Sequence, residues 1–178
     1  KNKFKIKDLH IDKRWLFLLP GYNVRPMEFQ ALLGLIQLKK INNNLSKRET
    51  IVKKIYEKFK KGPKWISIIG QNYINKKIYN KLNRSHSWMS IPILISHKKY
   101  NSKEIVKYFE KNGIETRPII SGNITKHPVF KKIDYKKSKN LKNTNIIHKK
   151  GFLIGCHPNV NQNAIDKLNK VFTELNQL

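Results

Sequence analysis

The segment after Pro26 contains an almost unbroken run of apolar residues. Between residues 27 and 38 the only charged or amide side chains are Glu28, Gln30 and Gln37. The run is predicted to be helical, because proline suits the first position of a helix and a carboxylate in the first turn complements the helix dipole. A helix that is apolar on nearly all sides is covered on nearly all sides. We therefore expect a further domain or subunit to pack against it.

A second helix is predicted from Ser46 onward, after an interruption at Asn42–Asn44. Glu49 follows Ser46 by three residues, which is the spacing of a capping box. Gly62 and the proline after it end the helix. The two segments together predict a helical hairpin or one bent helix. The apolar face of the second helix consists of Ile51, Val52, Ile55, Tyr56 and Phe59.

The character of the chain changes after residue 63, where helices and strands alternate. Pro92 argues for an edge position or an irregular ladder, because proline has no N–H to donate. Gly113 is expected at a helix C-cap. The predicted fold class is α/β: residues 1–62 lead, through helices, into a small α+β domain over residues 63–178. The predicted elements are strand Trp88–Ile95, helix Ser102–Asn112, strand Ile114–Ile120, an exposed loop Tyr135–Asn145, strand Gly151–Gly155 and a helix from Asn163.

Cysteine and histidine usage argues against several classes of site. Cys156 is the single cysteine, which excludes an intrachain disulfide and a zinc site built on paired cysteines. The six histidines show no close helical pairing, so no metal site is predicted. No apolar run approaches the length of a membrane span and no signal peptide is visible, so we expect a cytoplasmic protein. Because residue 1 is not Met, we expect the sequence to start in mid-protein.

The formal net charge is +27, which raises the possibility of a nucleic-acid partner. Only five of the 38 cationic side chains are arginine, the residue on which base readers depend. Lys, Asn and Ile are all abundant, as they are in proteins from A/T-rich genomes. The charge is therefore interpreted mainly as a solvated surface, with no specific nucleic-acid ligand expected. A basic nucleic-acid-binding module remains the alternative from a different class.

Three motifs carry a family resemblance. The first runs from Gly21 through Asn23 and Arg25 into the apolar helix, and the other two are 113–128 and 151–155. In this order and with these gaps they resemble the DegT/DnrJ/StrS family of sugar-nucleotide aminotransferases. Within that family they look most like the 4-keto-6-deoxyhexose 3-dehydratases. The resemblance covers most of the chain from Trp15 onward.

The resemblance implies the C-terminal part of an aspartate-aminotransferase-like enzyme of fold type I. Such enzymes work as homodimers with pyridoxal phosphate at the subunit boundary. Asn23 then corresponds to the contact with the cofactor phosphate, and Arg25 lies close to cofactor or substrate. An amide can donate to a phosphate oxygen, and a guanidinium is a permanent cation for an anion. Without the resemblance, Asn23 supports a turn and Arg25 is a surface charge.

The resemblance also places the second motif beside the nucleotide-sugar pocket, with Arg117, Asn123 and His127 as substrate-binding residues. An anionic diphosphate or a sugar hydroxyl requires donors of these types. The alternative is a solvated loop with one salt-bridged arginine and an ordinary histidine. His127 receives no catalytic role.

The residues that anchor the cofactor precede the first motif in this family. They are an aspartate and a lysine, the lysine being replaced by histidine in one dehydratase branch. Nothing before Gly21 matches them, so we expect the chain to be an inactive fragment of the whole enzyme. The expected reaction is either amino transfer from a donor such as glutamate or 3-dehydration. Either one would be a step in surface polysaccharide synthesis. The 121–125 segment favours dehydration. A non-catalytic relative is the other alternative.

Overall fold

The structure is a computed structural model that describes residues 11–12, 15–21, 27–74, 86–97, 99–137 and 140–177. Three short 3-10 turns also occur, at Gln71–Tyr73, Ile124–Lys126 and Pro128–Lys131. The helices and strands are α1 Glu28–Lys60, β1 Ile66–Ile68, β2 Ser90–Ile95, α2 Ser102–Lys111, β3 Thr116–Pro118, α3 Lys142–Lys150, β4 Gly151–Gly155 and α4 Gln162–Leu175.

Helix α1 is one continuous helix of 33 residues, so the predicted break at Asn42–Asn44 is wrong. Asparagine is an indifferent helix former, but each one costs only about 0.7 kcal/mol relative to alanine, and neither glycine nor proline lies between Leu35 and Lys61. Ser46 therefore lies inside the helix, where its carbonyl accepts a hydrogen bond from the Thr50 hydroxyl, and the predicted capping box does not form.

The two halves of α1 lie in different environments. The second half is buried at Ile51, Val52, Ile55 and Phe59, where it packs against α4 and the sheet. The first half is exposed within this chain. The prediction that a further domain or subunit covers it stays a prediction. Its exposed apolar residues are Met27, Phe29, Leu32, Leu33, Leu35, Ile36, Leu38 and Ile41.

The four strands form one sheet in the order β1-β2-β4-β3, and every neighbouring pair is antiparallel. Strand β2 is therefore an interior strand, and the predicted edge position of Pro92 is wrong. The Pro92 carbonyl accepts a hydrogen bond from the Ile69 N–H, one residue beyond the end of β1. A residue's N–H and C=O point to the same side of an antiparallel strand. The N–H that proline lacks would thus point towards the segment after β1, where the strand pairing has already ended.

One face of the sheet is buried and the other is only partly covered. Along β2 the buried residues Ile91, Ile93 and Ile95 alternate with half-buried Ser90, Pro92 and Leu94. Four aromatic rings meet on the buried side: Phe109 packs edge-on against Phe152 and Phe172, and Phe59 packs against Phe172. The half-buried side, which carries Pro92, Leu153 and Arg117, is called the outer face below.

Several sequence predictions are confirmed in this part of the chain, and others are wrong. Helix α2 and strand β4 lie where predicted, and Gly113 has a φ of +71° beyond the end of α2. Helix α4 buries the predicted Ile165, Leu168, Phe172 and Leu175. Strand β3 is shorter than predicted, and β1 was not predicted at all. The predicted loop ends early, because α3 begins at Lys142.

Candidate functional site

Arg117 projects from β3 on the outer face of the sheet. It lies opposite Leu153 of β4, which in turn lies opposite Pro92 of β2, so the floor beside the guanidinium is apolar. The Arg117 Nε and Nη2 atoms donate to one oxygen of Glu115, at 3.1 and 2.9 Å. Both side chains are largely exposed, so this pair adds little stability. It uses two of the five guanidinium donors, and the others can bind an anion or a hydroxyl.

A cavity of about 380 Å³ opens on the outer face next to Arg117. This volume lies in the range of small-molecule sites, roughly 300–1,000 Å³. Apolar side chains form most of its wall, together with the Arg117–Glu115 ion pair and Ser90, and we call this space the outer-face cavity. Arg117 also lines a smaller cavity, of about 180 Å³, together with Lys103 and Lys149. The residues that line the outer-face cavity include Trp15, Met89, Glu115, Arg117, Ile120 and Leu153.

Ile120 lies in a tight turn with an unfavourable backbone conformation. The Gly122 N–H donates to the Ile119 carbonyl at 2.8 Å, which closes a four-residue turn with Ile120 in its second position. Ile120 has a φ of +48°. Glycine is the usual residue where a turn requires positive φ at this position, and a β-branched residue there costs about 1–3 kcal/mol. The side chain is 63% exposed and lines the outer-face cavity.

Asn123 is buried and makes hydrogen bonds on every side. Its amide nitrogen donates to Asn145 at 2.8 Å, and its oxygen accepts from the backbone N–H and the hydroxyl of Thr125, at 3.1 and 2.7 Å. Its backbone N–H donates to the Nδ1 atom of His148 at 3.1 Å. These bonds begin the 3-10 turn after Asn123 and join it to α3.

His127 is also buried, at 1% exposure, and both ring nitrogens have partners. The Nδ1 atom lies 3.4 Å from the Phe17 N–H and the Nε2 atom lies 2.8 Å from the Ser121 carbonyl. These two partners imply the neutral tautomer with its proton on Nε2. The ring also stacks on Phe17, with centroids 5.1 Å apart. His127 thus joins the segment that contains Trp15 to the turn that contains Ile120.

Trp88 borders the site from the other side, immediately before β2. It has a φ of +46° although its side chain is only 2% exposed. Its backbone N–H donates to the Nδ1 atom of His86 at 2.9 Å, and the two rings lie 4.3 Å apart. The next residue, Met89, is 69% exposed and lines the outer-face cavity.

Cys156 lies just beyond β4, but its thiol is not a candidate nucleophile. It is 1% exposed, and its Sγ atom donates to the Arg48 carbonyl at 3.8 Å. Burial raises the pKa of the Cys156 thiol to about 11, and the positive charge of Arg48 only partly opposes this effect. The reactive thiolate is therefore scarce at neutral pH.

The predicted site residues thus fall into three groups. Arg117 lines the outer-face cavity, whereas Asn123 and His127 are buried beside the turn and make internal hydrogen bonds. Asn23 and Arg25, the predicted cofactor contacts, lie outside the described residues. Sequence reasoning did not identify the apolar wall formed by Trp15, Met89, Ile120 and Leu153. Only Trp15, an aromatic residue close to the first motif, gave any signal.

Two further kinds of feature are absent from the described residues. No group of three or more metal-ligating His, Cys, Asp or Glu side chains occurs among the described residues. Within the same ranges, no helix has both the length and the apolarity needed to cross a bilayer.

The chain belongs to the DegT/DnrJ/EryC1/StrS aminotransferase family, whose sequence profile matches residues 3–173. It is 32% identical over 92% of its length to GDP-4-keto-6-deoxy-D-mannose 3-dehydratase from Escherichia coli O55:H7. It is 28% identical over 87% of its length to dTDP-4-dehydro-2,6-dideoxy-D-glucose 3-dehydratase from Saccharopolyspora spinosa. It spans 40% and 32% of these two relatives.

Solved structures agree with this family assignment. A crystal structure of GDP-4-keto-6-deoxymannose-3-dehydratase with a trapped PLP-glutamate geminal diamine superposes with a TM-score of 0.68 at 29% identity. The match covers 96% of this chain and 41% of that enzyme. The fold is therefore that of part of a fold type I enzyme, as the sequence predicted.

Proposed function

We propose that this chain is the C-terminal part of a pyridoxal-phosphate enzyme that acts on a nucleotide-linked 4-keto-6-deoxy sugar. The observation that carries the proposal is the 32% identity, over 92% of the chain, to a GDP-4-keto-6-deoxy-D-mannose 3-dehydratase. The reaction is 3-dehydration or amino transfer, with glutamate as amino donor, in deoxysugar and surface polysaccharide synthesis. A cytoplasmic location belongs to the same proposal.

Arg117 has the exposure and the position that a substrate-binding residue needs. Its side chain is 60% exposed, and it lines both the outer-face cavity and the smaller cavity with Lys103 and Lys149. A guanidinium binds phosphate or carboxylate oxygens in a bidentate manner, and nearby lysines add positive charge. We propose that Arg117 holds the diphosphate or a sugar hydroxyl of the substrate.

Asn123 and His127 support the site in a different way. Direct substrate contact would require each side chain to exchange an internal hydrogen bond for one with the ligand. Burial makes that exchange costly, because the abandoned partner is left unsatisfied. Their internal bonds favour a positioning role, in which they fix the turn around Ile120. Substrate contact by these two residues stays a prediction.

The described residues offer no candidate for covalent attachment of the cofactor. No lysine within the described ranges is buried, and both ring nitrogens of His127 already have partners. Asn23 and Arg25 lie outside those ranges, and their cofactor contacts stay a proposal. When bound, pyridoxal phosphate would supply the electron sink of the reaction. This chain's own contribution is to bind and orient the substrate.

The exposed first half of α1 supports a homodimer in the longer protein. Eight large apolar residues between Met27 and Ile41 are exposed in this chain. A contiguous apolar surface of this kind marks an interaction site. We propose that residues 1–62 belong to the end of the large domain and its connecting helices, and that this segment reaches the subunit boundary. Residues 63–178 then form the small domain.

The longer protein that contains this chain tests the proposal directly. Purified with pyridoxal phosphate, it is incubated with GDP-4-keto-6-deoxymannose or its dTDP counterpart and ¹⁵N-glutamate, and the product is analysed by mass spectrometry. Loss of the 3-hydroxyl indicates dehydration, and a ¹⁵N-labelled amino sugar indicates transamination. Failure to convert either substrate, together with tight, steeply salt-dependent binding to generic nucleic acid, would favour the basic binding module instead.

The 178-residue chain alone provides a control. Mixed with pyridoxal phosphate and borohydride, it is expected to give only scattered lysine adducts. A single stoichiometric adduct, located by peptide mapping, would contradict the view that the anchoring residue lies elsewhere.

A further inference from the structure

Two backbone outliers lie on either side of the outer-face cavity. Trp88 and Ile120 are the two non-glycine residues with positive φ in the described part of the chain. Ile120 lines the cavity, and Trp88 directly precedes Met89, which also lines it. Strained backbone persists where the surroundings fix it, and it is concentrated at ligand-binding sites. Large apolar side chains thus border the same space at one outlier, Ile120, and directly after the other, at Met89.

The cavity wall next to these two side chains is mainly apolar. Met89 and Ile120 are 69% and 63% exposed. Leu153 and Trp15 continue the apolar surface, and Arg117 adds a cation whose partner, the Glu115 carboxylate, lines the same cavity. A ligand that fits this wall has an apolar group next to a polar or anionic part. Within the sugar of a nucleotide sugar, a methyl group at a carbon that lacks its hydroxyl is such an apolar group.

We propose that Ile120, with Met89 beside it, is a specificity-determining residue that contacts the C6 methyl group of a 6-deoxy sugar. This inference rests on the proposed function and specifies which part of the substrate the turn contacts. Both dehydratase relatives described above are named for sugars that are deoxygenated at C6. A sugar with an intact C6 hydroxyl would place that group against the Ile120 side chain, which cannot form a hydrogen bond with it, and a hydroxyl that loses a partner weakens binding.

The hydrogen bonds around the turn explain how isoleucine is kept in a conformation that glycine or asparagine would adopt more easily. The Ser121 carbonyl is held by His127, and the backbone N–H of Asn123 is held by His148. A methyl group at Gly122 would clash with the His148 ring, so the backbone on this side of the turn packs closely against α3. The turn therefore fixes the direction of the Ile120 side chain.

The test compares two ligands that differ by one hydroxyl group. Calorimetry on the longer protein measures the binding of GDP-6-deoxymannose and of GDP-mannose. If the protein prefers dTDP, the two ligands are dTDP-6-deoxyglucose and dTDP-glucose. We expect the wild type to bind the 6-deoxy sugar about tenfold more tightly. Ile120→Asn is expected to reduce this preference to less than about threefold, because an amide can pair with the hydroxyl.

Ile120→Asn also tolerates positive φ, so the variant should fold. Ile120→Gly is a second variant, expected to melt at the same or a higher temperature than the wild type while losing the preference. Ile133→Asn is the matched control, since Ile133 is exposed and is not one of the residues that line the outer-face cavity; it should keep the wild-type ratio.

The outcomes separate this inference from the proposed function. An unchanged ratio in both Ile120 variants, or no preference in the wild type, overturns the role of Ile120 while the enzyme assignment stands. Failure of the wild type to bind either ligand pair or to convert either keto sugar overturns the proposed function, and this inference with it.

Discussion

Phe29 and Phe59 lie on the same helix, α1, in opposite environments. Phe29 is 64% exposed, whereas Phe59 is 8% exposed and packs edge-on against Phe172 with ring centroids 4.1 Å apart. An aromatic side chain buries roughly 150–250 Å², which at about 25 cal/mol per Å² is worth about 4–6 kcal/mol before other terms. We therefore expect Phe59→Ala to lower the free energy of unfolding of the isolated chain by about 3–4 kcal/mol.

The same substitution at Phe29 should have little effect on the isolated chain, within about 0.5 kcal/mol. Urea unfolding of the 178-residue chain, followed by circular dichroism, gives both values from the shift of the midpoint at constant slope. In the longer protein the order changes, because Phe29→Ala should weaken dimerisation measured by sedimentation. Equal destabilisation of the isolated chain by the two variants would refute this reasoning, since it would mean that the first half of α1 is packed within the chain.

Two further predictions concern ionisable side chains. The Cys156 thiol, buried and with its pKa raised to about 11, should not react with Ellman's reagent at neutral pH in the folded chain but should react fully in guanidinium. Rapid stoichiometric labelling of the folded chain would show that the cysteine is accessible. The pKa of Tyr108 is raised, mainly by its hydrogen bond to Glu174 and to a smaller extent by partial burial. The stability that this bond contributes is therefore present below about pH 10 and falls as the pH rises further. Tyr108→Phe should lower the free energy of unfolding by about 1–2 kcal/mol at pH 8. The variant should also lose less stability in alkali than the wild type, which urea unfolding at both pH values tests. Parallel pH profiles of the two proteins would count against the bond.

Elements with strong local signals were predictable from the sequence. Helix α2 has an Asn101–Glu104 capping box at its start and Gly113 after its end, so local sequence alone defines its limits. Strand β4 lies between a basic helix end and a turn. In contrast, the continuity of α1 depends on what is absent: no proline or glycine enforces a stop at the asparagine run. The interior position of Pro92 depends on where β1 ends, which is a tertiary property.

The candidate site was only partly predictable for a similar reason. Arg117 stood out because arginine is rare in this chain, and the motif around it pointed to the substrate. Burial of Asn123 and His127 could not be derived from sequence, because it depends on the segment around Phe17 and on α3 closing over them. Positive φ at Ile120 contradicts the local preference of isoleucine, so no propensity argument could have found it.

The uninterrupted length of α1 has a mechanical consequence. At 1.5 Å per residue, its 33 residues form a rod about 50 Å long, clamped at one end by the sheet. A tilt of about 5° at the clamp displaces the far tip by about 4 Å at this length. Small rearrangements at the sheet are thus amplified at the surface that contacts the N-terminal end of α1.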